Sequence, residues 1–570
     1  MEIALWIVGG LAALLFLITG LLKLVVPKTR LRGLGMAWVE QFKGWQIKVF
    51  GVLEVLGAIG LAVGLLAPRG YAPLGWWLAA LAATGLVIVM VGAVVVHLRR
   101  RETPVPAAVP GVLAVVAVVL AVLLATDWPG GVRAPSMAIP PNPIWTGDTK
   151  PEPVPEEHVV LEMPKDMYRH NGAPTEWWWH IGTLRAGERV FGFEINAASF
   201  IGQSFAMTQV SLSDVDSGRH YDRTQIYVAQ PVGVFDVSTW AEGDPGKDWY
   251  ARLGDPGWLV GGFSVTERGS GYTSPPTVRI EGGGGTGGAG IAVLGADGGI
   301  DMIALVNPGS GYTSPPTVTL EGGGGTGASA VAVRNHVSMT APQADPTRDI
   351  HVQSTLVDEE TLTEIEYDLT FSQEGRPFYE FGTGVNPTST VQSLAEDNYY
   401  FSFTRLAASG TITIDGTAYE VSGTTWMDHE YGNFGSGGDG HIRWLLSDIQ
   451  LDNGYTLTNP GLIGPGYKPE IGVAVDAQTT IQDPDGAIYF VAATLTPVGE
   501  LWTSPRTGQT YAQQFRIDIP SFDASLTVTT RVQDQEFIVP GAPVYEGTAD
   551  VEGRFLGKQV GGDAWMEQAF

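Results

Sequence analysis

The chain shows two different patterns of hydrophobic and polar positions. Near its start, four almost uninterrupted apolar runs cover residues 3–26, 47–67, 74–97 and 105–125. Each run is long enough to cross the roughly 30 Å hydrocarbon core of a bilayer as a helix. The pattern therefore predicts a four-helix transmembrane module over residues 1–128, and the three later runs argue against a cleaved signal peptide.

Downstream of residue 157 the pattern changes to short segments in which apolar and polar residues alternate. Examples are RVFGFEINAASF at residues 189–200 and NYYFSFTRL at residues 398–406, and Gly, Asp and Asn turns separate such segments. Alternation with period two is typical of half-buried strands. We therefore expect an all-β region here, joined to the helices by a Pro-rich spacer at residues 129–157.

Charge separates the same two parts of the chain. Residues 1–133 hold 11 Lys/Arg and 5 Asp/Glu, which leaves 22 and 55 for the rest of the 570 residues. Because so acidic a region repels phosphate backbones, we expect no nucleic-acid partner. The chain contains no cysteine, and its length predicts three or more domains.

Basic residues between the apolar runs predict the membrane topology. The second connection has only Arg69, whereas the first and third are strongly basic. Positive charge marks the cytoplasmic side of a membrane protein. We therefore expect a multi-pass protein of the cell membrane whose acidic C-terminal domains are extracytoplasmic. The basic residues of the first and third connections are Lys28, Arg30, Arg32, Lys43, Arg99, Arg100 and Arg101.

Two charged residues lie inside the apolar runs. Lys23 belongs to GLLKL at residues 20–24, and Glu54 belongs to GVLEVLGAIGL at residues 51–61. Because their expected depths in the bilayer are similar, they are predicted to form a membrane ion pair. A structural pair is favoured over a transport or redox site, since pairing already satisfies both charges. These two motifs resemble DoxX-like membrane proteins.

Three downstream segments carry a second resemblance: TEWWWHIGTL at residues 175–184, TTWMDHEYG at residues 424–432 and PVYEGTADVEGRFLGKQVGGDAWMEQ at residues 543–568. They resemble the carotenoid hydratase (hydroxyneurosporene synthase) family and its AttH-like relatives. The resemblance extends over about residues 158–570 and implies two tandem lipocalin-like barrels. The first barrel is placed at residues 158–262 and 337–435, and the second at residues 436–570.

Residues 263–336 are predicted to be an insertion in a loop of the first barrel. GSGYTSPPTV, a variable pair and EGGGGTG occur at residues 269–287 and again at residues 309–327, which predicts two tandem β units. The glycine run lacks the Lys-Ser/Thr ending of a phosphate loop, so nucleotide binding is disfavoured. The repeat resembles glycine-rich repeats of bacterial surface and phage structural proteins. Because its removal joins two family-like stretches, we expect the barrel to fold without it.

The two tryptophan-rich motifs are interpreted as strands whose side chains alternate between two faces. One face of each strand then combines acids with tryptophan, and in the earlier strand also with a histidine. An aromatic surface with a few convergent polar groups is typical of small-molecule pockets. The residues expected to line one lumen together are Glu176, Trp178, His180, Trp426, Asp428 and Glu430.

This predicted pocket suggests acid-catalysed hydration or cyclisation of an isoprenoid alkene. A carboxyl group surrounded by tryptophans and close to a second carboxylate has a raised pKa, so it keeps its proton near neutral pH. Asp428 is the predicted proton donor, and Glu430 or His180 is expected to handle the proton of the water. Trp178 and Trp426 are expected to stabilise the cation through their π faces. This chemistry requires no cofactor and no metal.

Other interpretations stay open at the level of sequence. Arg405 is a predicted partner of the acid, and such a pair would lower the pKa of the acid and favour a structural role. Trp444 is a candidate substrate-binding residue, but it begins Trp-Leu-Leu where relatives commonly show Trp-Asp-Trp, so one candidate acid is missing. A metal site among His180, His429, His441 and Glu430 is disfavoured, because neither HxH nor HExxH spacing occurs and His429 should point away from Glu430.

The leading prediction is therefore a membrane-anchored, extracytoplasmic hydratase or cyclase that acts on an isoprenoid or another apolar lipid. The first alternative is non-catalytic binding or transfer of a hydrophobic ligand. The second is an envelope scaffold that uses the repeats as its interaction surface.

Overall fold

The computed structural model describes residues 2–33, 36–66, 139, 142–242, 247–341, 347–387, 391–434, 443–461, 463–539 and 542–569. The chain divides into two compact units, Met1–Ser136 and Met137–Phe570. The boundary between them falls inside the predicted Pro-rich spacer.

The N-terminal unit contains helices α1 (Glu2–Val25), α2 (Lys28–Gly33) and α3 (Gly44–Leu66), with a short 3-10 helix at Ala37–Gln41. The third and fourth predicted spans lie outside the described residues. Within the described ranges, no helix meets both the length and the apolarity that crossing a bilayer requires. The four-helix transmembrane module therefore stays a prediction.

Helices α1 and α3 pack closely around one buried ion pair. The Nζ of Lys23 donates to the two carboxylate oxygens of Glu54 at 2.7 and 2.5 Å, and both side chains are buried. The hydroxyl of Thr19 donates to the same carboxylate at 3.1 Å. Gly20 and Gly51 make this approach possible, because a Cβ on either residue would overlap the backbone carbonyl of the other.

The C-terminal unit contains two β-sheets. Among the residues described, the first sheet has 18 strands. They are β1 (Thr175–Ala186), β2 (Arg189–Phe200), β3 (Phe205–Asp214), β4 (Arg219–Val228), β5 (Trp249–Gly254), β6 (Gly262–Ser270), β7 (Thr277–Glu281), β8 (Thr286–Leu294), β9 (Ile300–Ser310), β10 (Thr317–Glu321), β11 (Thr326–Val333), β12 (His336–Ala341), β13 (Ile350–Val357), β14 (Glu364–Gln373), β15 (Phe378–Tyr379), β16 (Val385–Asn386), β17 (Asn398–Ile414) and β18 (Thr417–Gly432).

Strands outside the repeats form one antiparallel β body, which we call the first body. They pair antiparallel in the order β5-β12-β13-β14-β17-β18-β1-β2-β3-β4. Their inward side chains share one hydrophobic core, which includes the fully buried Trp178 and the nearly fully buried Trp249. Short 3-10 helices at Glu156–His158, Lys165–Met167, Ile201–Gln203 and Glu380–Gly382 flank these strands.

The glycine-rich repeats lie at the turn of the β5–β12 hairpin. Gly254 pairs with His336 and Gly262 pairs with Val333, so the chain leaves the sheet and returns to it at one place. Equivalent strands of the two repeats pair reciprocally, because β6 joins β11, β8 joins β9 and β7 joins β10. The repeats are therefore related by an approximate two-fold axis.

The base of this repeat segment belongs to the first core. Phe263 and Ile303 are buried in that core, and the fully buried Arg223 donates to the Phe263 carbonyl at 2.9 Å and to the Ser264 hydroxyl. A buried guanidinium that loses its acceptors is costly. The arrangement therefore argues against the expectation that the first barrel folds without the repeats.

The second sheet closes on itself. Its strands pair antiparallel in the ring β19-β20-β21-β22-β23-β24-β26-β27, with β27 returning to β19, while β25 adds to β26. A 3-10 helix at Pro520–Phe522 joins β23 to β24. The ring encloses a separate hydrophobic core. The strands are β19 (Trp444–Leu451), β20 (Thr456–Thr458), β21 (Val475–Gln482), β22 (Ile488–Thr503), β23 (Thr510–Ile519), β24 (Ala524–Thr530), β25 (Glu536–Val539), β26 (Ala542–Phe555) and β27 (Lys558–Ala569).

The last part of the predicted spacer is bound to this second barrel. The backbone N–H of Trp145 donates to the Phe490 carbonyl at 3.0 Å, and its carbonyl accepts from Ala492 at 2.8 Å. Val154 donates to Ile488 at 2.7 Å. Residues 142–157 are therefore docked along β22 in part, which corrects the expectation of an extended spacer over the whole segment.

Candidate active site

The register of β1 against β18 decides which predicted site residues lie together. Trp178 lies opposite His429, and Trp179 lies opposite Asp428. Because directly opposite residues point to the same side of a sheet, Trp178 shares its face with His429, while Asp428 shares its face with Trp179. The predicted single lumen is therefore wrong. The six residues separate into an inner set, Glu176, Trp178 and His180, and an outer set, Trp426, Asp428 and Glu430.

The inner set lies inside the first body. Trp178 stacks on His429 with ring centroids 4.5 Å apart, and His180 stacks on Phe371 at 4.6 Å. Neither ring nitrogen of His180 has a hydrogen-bond partner among the described residues. Burial lowers the pKa of His180 to about 3. The sheet separates this neutral side chain from Asp428. His180 therefore cannot handle the proton of a water beside Asp428, in contrast to the role expected from the sequence.

The outer set faces the second barrel. Trp426 and Ile181 form a small buried cluster with Trp565 of β27. The indole N–H of Trp426 donates to Oδ1 of Asp428 at 2.7 Å, and the hydroxyl of Ser402 donates to the same oxygen at 2.5 Å. Asp428 is therefore placed where the first body meets the second barrel, with Trp426 on one side of the junction and Trp565 on the other.

The second barrel contributes a matching set of side chains. The indole N–H of Trp565 donates to Glu546 at 3.1 Å, and that of Trp444 donates to Glu567 at 2.8 Å. Trp444 is partly exposed, whereas Glu567 is 4% exposed. Carboxyl groups that accept hydrogen bonds from indoles therefore lie on both sides of this junction. They are Asp428 on one side and Glu546 and Glu567 on the other.

Seven buried carboxyl groups, which we call the acid cluster, occupy this junction. None of them forms an ion pair with any residue in the described ranges. A buried acid without a counter-cation is driven toward its protonated form. Five of the seven also have at least one carboxyl oxygen without a hydrogen-bond partner in the described part of the chain: Glu194, Glu380, Asp428, Asp448 and Glu546. The complete acid cluster is Glu194, Glu380, Asp428, Glu430, Asp448, Glu546 and Glu567.

The electrostatics of the acid cluster raise the pKa of every member. Burial raises the pKa of Asp428 to about 6, although the hydrogen bonds from Ser402 and Trp426 act in the opposite direction. Burial and the neighbouring Asp428 charge raise the pKa of Glu567 to about 8, against the hydrogen bond from Trp444. For the other five, burial is the largest cause, and repulsion from neighbouring acids adds to it. At neutral pH the pKa values of about 8 and about 6 leave Glu567 mainly protonated and Asp428 mainly ionised.

Two predicted substrate-binding residues have different positions. Arg405 donates to the Gly454 carbonyl at 3.1 Å and does not pair with Asp428, so the predicted partnership with the acid is wrong. Trp444 does lie at the junction, through its bond to Glu567. Leu445, which follows Trp444, is fully buried in the core of the second barrel. Glu567 of the neighbouring strand β27 supplies the carboxyl group beside Trp444.

Sequence reasoning missed most of the acid cluster. Glu194, Glu380 and Asp448 carry no motif that distinguishes them from surface acids. A usable signal does exist for Glu567, because Trp565-Met566-Glu567 repeats the order Trp426-Met427-Asp428. In both cases the methionine enters the core of its own barrel while the tryptophan and the acid face the junction.

Similarity to known proteins covers both units. Residues 319–568 match the family described as AttH-like, and residues 7–120 match the DoxX-like family. The sequence matches none of the curated proteins with which it was compared.

Solved structures give weaker likenesses. A protein described as AttH from Nitrosomonas europaea aligns over 73% of this chain and 98% of its own, at 17% identity and a TM-score of 0.44. Kievitone hydratase from Nectria haematococca aligns over 75% of this chain and 98% of its own, at 12% identity and a TM-score of 0.44. The family matches confirm the predicted AttH-like resemblance over residues 319–568 and the predicted DoxX-like resemblance over residues 7–120.

Proposed function

We propose that the C-terminal unit is an acid catalyst for the hydration or cyclisation of an isoprenoid or another apolar lipid alkene. The observation that carries the proposal is the electrostatic contrast between Glu567 and Asp428. Burial raises the pKa of Glu567 to about 8 and that of Asp428 to about 6. Pairs of carboxyl groups whose pKa values are separated in this way are suited to divide the roles of acid and base.

In this proposal Glu567 is the proton donor and Asp428 is the base. At neutral pH Glu567 keeps its proton, while Asp428 is mostly ionised, so each group is in the state that its role requires. This assignment differs from the one expected from sequence, in which Asp428 donates the proton. Glu430 lies on the same face as Asp428, but burial raises its pKa and favours its protonated form, so the role of base that the sequence also offered to Glu430 is assigned to Asp428.

Tryptophan rings supply the remaining requirement of alkene protonation. Transfer of the Glu567 proton to a double bond leaves a carbocation, which π faces stabilise. Trp426 and Trp565 are buried at the junction, and the partly exposed Trp179 and Trp444 border it. An apolar substrate entering beside Trp444 would meet the carboxyl group of Glu567 first, because the two side chains are hydrogen-bonded.

The proton balance distinguishes the two reactions. In hydration, Glu567 gives a proton to carbon, water adds to the cation, and Asp428 takes the proton that the water loses. In cyclisation, a second double bond attacks the cation, and Asp428 removes a proton from carbon. In both reactions the proton returns from Asp428 to Glu567, so the enzyme ends in its starting state.

The proposal includes the location predicted from sequence. The DoxX-like match and the four apolar runs support residues 1–128 as a multi-pass anchor, and the basic connections support an extracytoplasmic position for the acidic unit. An enzyme anchored in this way would take its apolar substrate from the adjacent bilayer.

The test uses the purified full-length protein with squalene as the probe, in D2O. Hydration gives a product heavier by one D2O, and cyclisation gives an isomer that carries deuterium, so mass spectrometry separates the two. Glu567→Gln should lower turnover by about 100-fold or more. Asp563→Asn is the matched control, because Asp563 lies on the same strand but is paired with Arg185 and Arg531.

Two results would contradict the proposal. Squalene that binds, as shown by quenching of tryptophan fluorescence, but forms no product would favour the non-catalytic lipid-binding function. Product formation that is unchanged in Glu567→Gln would remove Glu567 from the role of acid.

A further inference from the structure

A second group of titratable side chains lies on the opposite face of β18 from the acid cluster. It consists of His170, in the segment that precedes β1, Glu176 near the start of β1, and His429 of β18. One ligand-type atom from each residue lies within 4.8 Å of the other two. Glu176 and His429 are buried, and the side chain of His170 is 15% exposed, so the group can be reached from one side.

The two histidines are oriented by hydrogen bonds at the nitrogen that faces away from Glu176. Nδ1 of His429 donates to the Trp177 carbonyl at 2.7 Å, so its Nε2 carries a lone pair. Nε2 of His170 lies 3.3 Å from Oδ1 of Asp166, and its Nδ1 faces Glu176. Histidines that bind metals are commonly held in this way, with the second ring nitrogen donating to a carboxylate or a backbone carbonyl.

The atoms that face one another have the chemistry of a cation site. Nδ1 of His170 lies 2.9 Å from Oε1 of Glu176, and Nε2 of His429 lies 3.7 Å from the same oxygen. In a tetrahedral zinc site with bonds of about 2.0 to 2.1 Å, two ligand atoms lie about 3.3 Å apart. One of the two observed separations is shorter than this distance and the other is longer.

One atom of this group has no partner. Nε2 of His429 is buried, directed toward Glu176 and not hydrogen-bonded to any described residue. The ion pairs of Glu176 within the described ranges are with these two histidines, so no lysine or arginine neutralises its charge. A dication would satisfy the unpartnered nitrogen and the carboxylate together.

We propose that His170, Glu176 and His429 form a binding site for a divalent transition metal of the zinc type. Nδ1 of His170, the carboxylate of Glu176 and Nε2 of His429 are the ligands, and Asp166 and the Trp177 carbonyl orient the two rings. The metal replaces the proton that His170 shares with Glu176. It joins the segment before β1 to β1 and β18, and it leaves a fourth position toward the partly exposed side of His170.

Without metal, the same group is a proton-holding pair. Burial opposes the charged form of His170, but the hydrogen bonds to Asp166 and Glu176 outweigh it and raise the pKa of His170. Burial lowers the pKa of His429, so this ring stays neutral and available as a ligand.

The experiment titrates Co²⁺, as a spectroscopic substitute for Zn²⁺, into full-length protein that has been treated with a chelator. We expect one equivalent with the intense visible absorption of a tetrahedral N/O site, and an increase in the unfolding temperature when Zn²⁺ is added. Glu176→Gln and His170→Gln should each weaken binding by more than about 100-fold. Asp166→Asn, which leaves all three ligands in place, should weaken it by about 10- to 100-fold.

His351→Gln is the matched control, because His351 is a half-exposed histidine that is also paired with an aspartate, Asp368. This variant should bind Co²⁺ like the parent protein. The proposal is overturned if no equivalent binds, or if folded Glu176→Gln and Asp166→Asn bind Co²⁺ like the parent protein. Circular dichroism of each variant shows whether a loss of binding reflects unfolding, and Asp166→Asn provides the decision if Glu176→Gln does not fold.

Discussion

Replacing Glu567 with Gln should make the protein more stable while removing the proposed activity. Glu567 is 4% exposed, and its pKa is raised from 4.5 to about 8 by burial and by the charge of Asp428. Between pH 4.5 and about pH 8, the folded state therefore keeps a proton on Glu567 that the unfolded state has released. Because the folded state binds more protons, its stability decreases as the pH rises through this window.

The loss of stability depends on how far the pH lies above 4.5, the ordinary pKa of the Glu567 carboxyl group. Each pH unit inside the window costs about 1.4 kcal/mol, so the penalty is about 3 kcal/mol at pH 7 and about 1 kcal/mol or less at pH 5. Gln has the same shape as Glu, has no proton to lose and can still accept the hydrogen bond from Trp444. Glu567→Gln should therefore increase the free energy of unfolding by about 3 kcal/mol at pH 7 and by much less at pH 5.

Chemical denaturation of the full-length protein at the two pH values, followed by near-ultraviolet circular dichroism, measures this difference. Asp563→Asn should have the opposite sign at pH 7. Burial alone would raise the pKa of Asp563, but its bonds to Arg185 and Arg531 outweigh burial and lower it. The reasoning is refuted if Glu567→Gln is less stable than the parent at pH 7, or if its effect is the same at pH 5 and pH 7.

Three further predictions test other parts of the structure. Trp426→Phe removes the indole donor that lowers the pKa of Asp428, so the limb of the pH–rate profile that requires ionised Asp428 should move to higher pH. If this limb does not move, it does not report the ionisation of Asp428. Lys23→Met should destabilise the N-terminal unit by about 3 to 5 kcal/mol, whereas the double variant Lys23→Met with Glu54→Leu should recover most of this stability. Thermal unfolding measures both variants, and equal losses of stability would argue against the buried ion pair. Replacement of residues 263–336 by a Gly/Ser bridge should cost more than about 3 kcal/mol in a denaturant titration, because Arg223 loses two acceptors, and an unchanged midpoint would show that the repeats are dispensable.

The sequence predicted the class of the fold more completely than the arrangement of the site. Period-two alternation predicts strands, and within TTWMDHEYG it correctly separates Asp428 from His429. Alternation within one strand says nothing about register, however, and the neighbouring β1 pairs so that Trp179, not Trp178, lies opposite Asp428. One residue of register therefore moved Glu176, Trp178 and His180 to the other side of the sheet.

The acid cluster could not be predicted for a different reason. Its members come from seven places between Glu194 and Glu567, and only the closure of the second barrel and its packing on β1 and β18 bring them together. Desolvation is a property of the assembled junction, so no local pattern records it. The repeated Trp-Met-acid order was the one local clue, and it becomes informative when both methionines are seen to enter separate cores.

The cost of the acid cluster is itself an argument for catalysis. A carboxyl group buried without a cation destabilises the folded state, and amide side chains of the same shape would fill the junction without this penalty. Elsewhere in this unit, buried or half-buried acids such as Asp214 and Asp563 are paired with arginines, so the fold is able to neutralise acids when only stability is required. Three of the acids at the junction, Asp428, Glu546 and Glu567, instead accept hydrogen bonds from tryptophan indoles, which hold a carboxyl group in position without fixing its charge. This arrangement keeps protons available next to the π faces of tryptophans, so it favours a reaction that forms a carbocation. It does so at a cost in the stability of the fold, and such a cost is typical of functional sites.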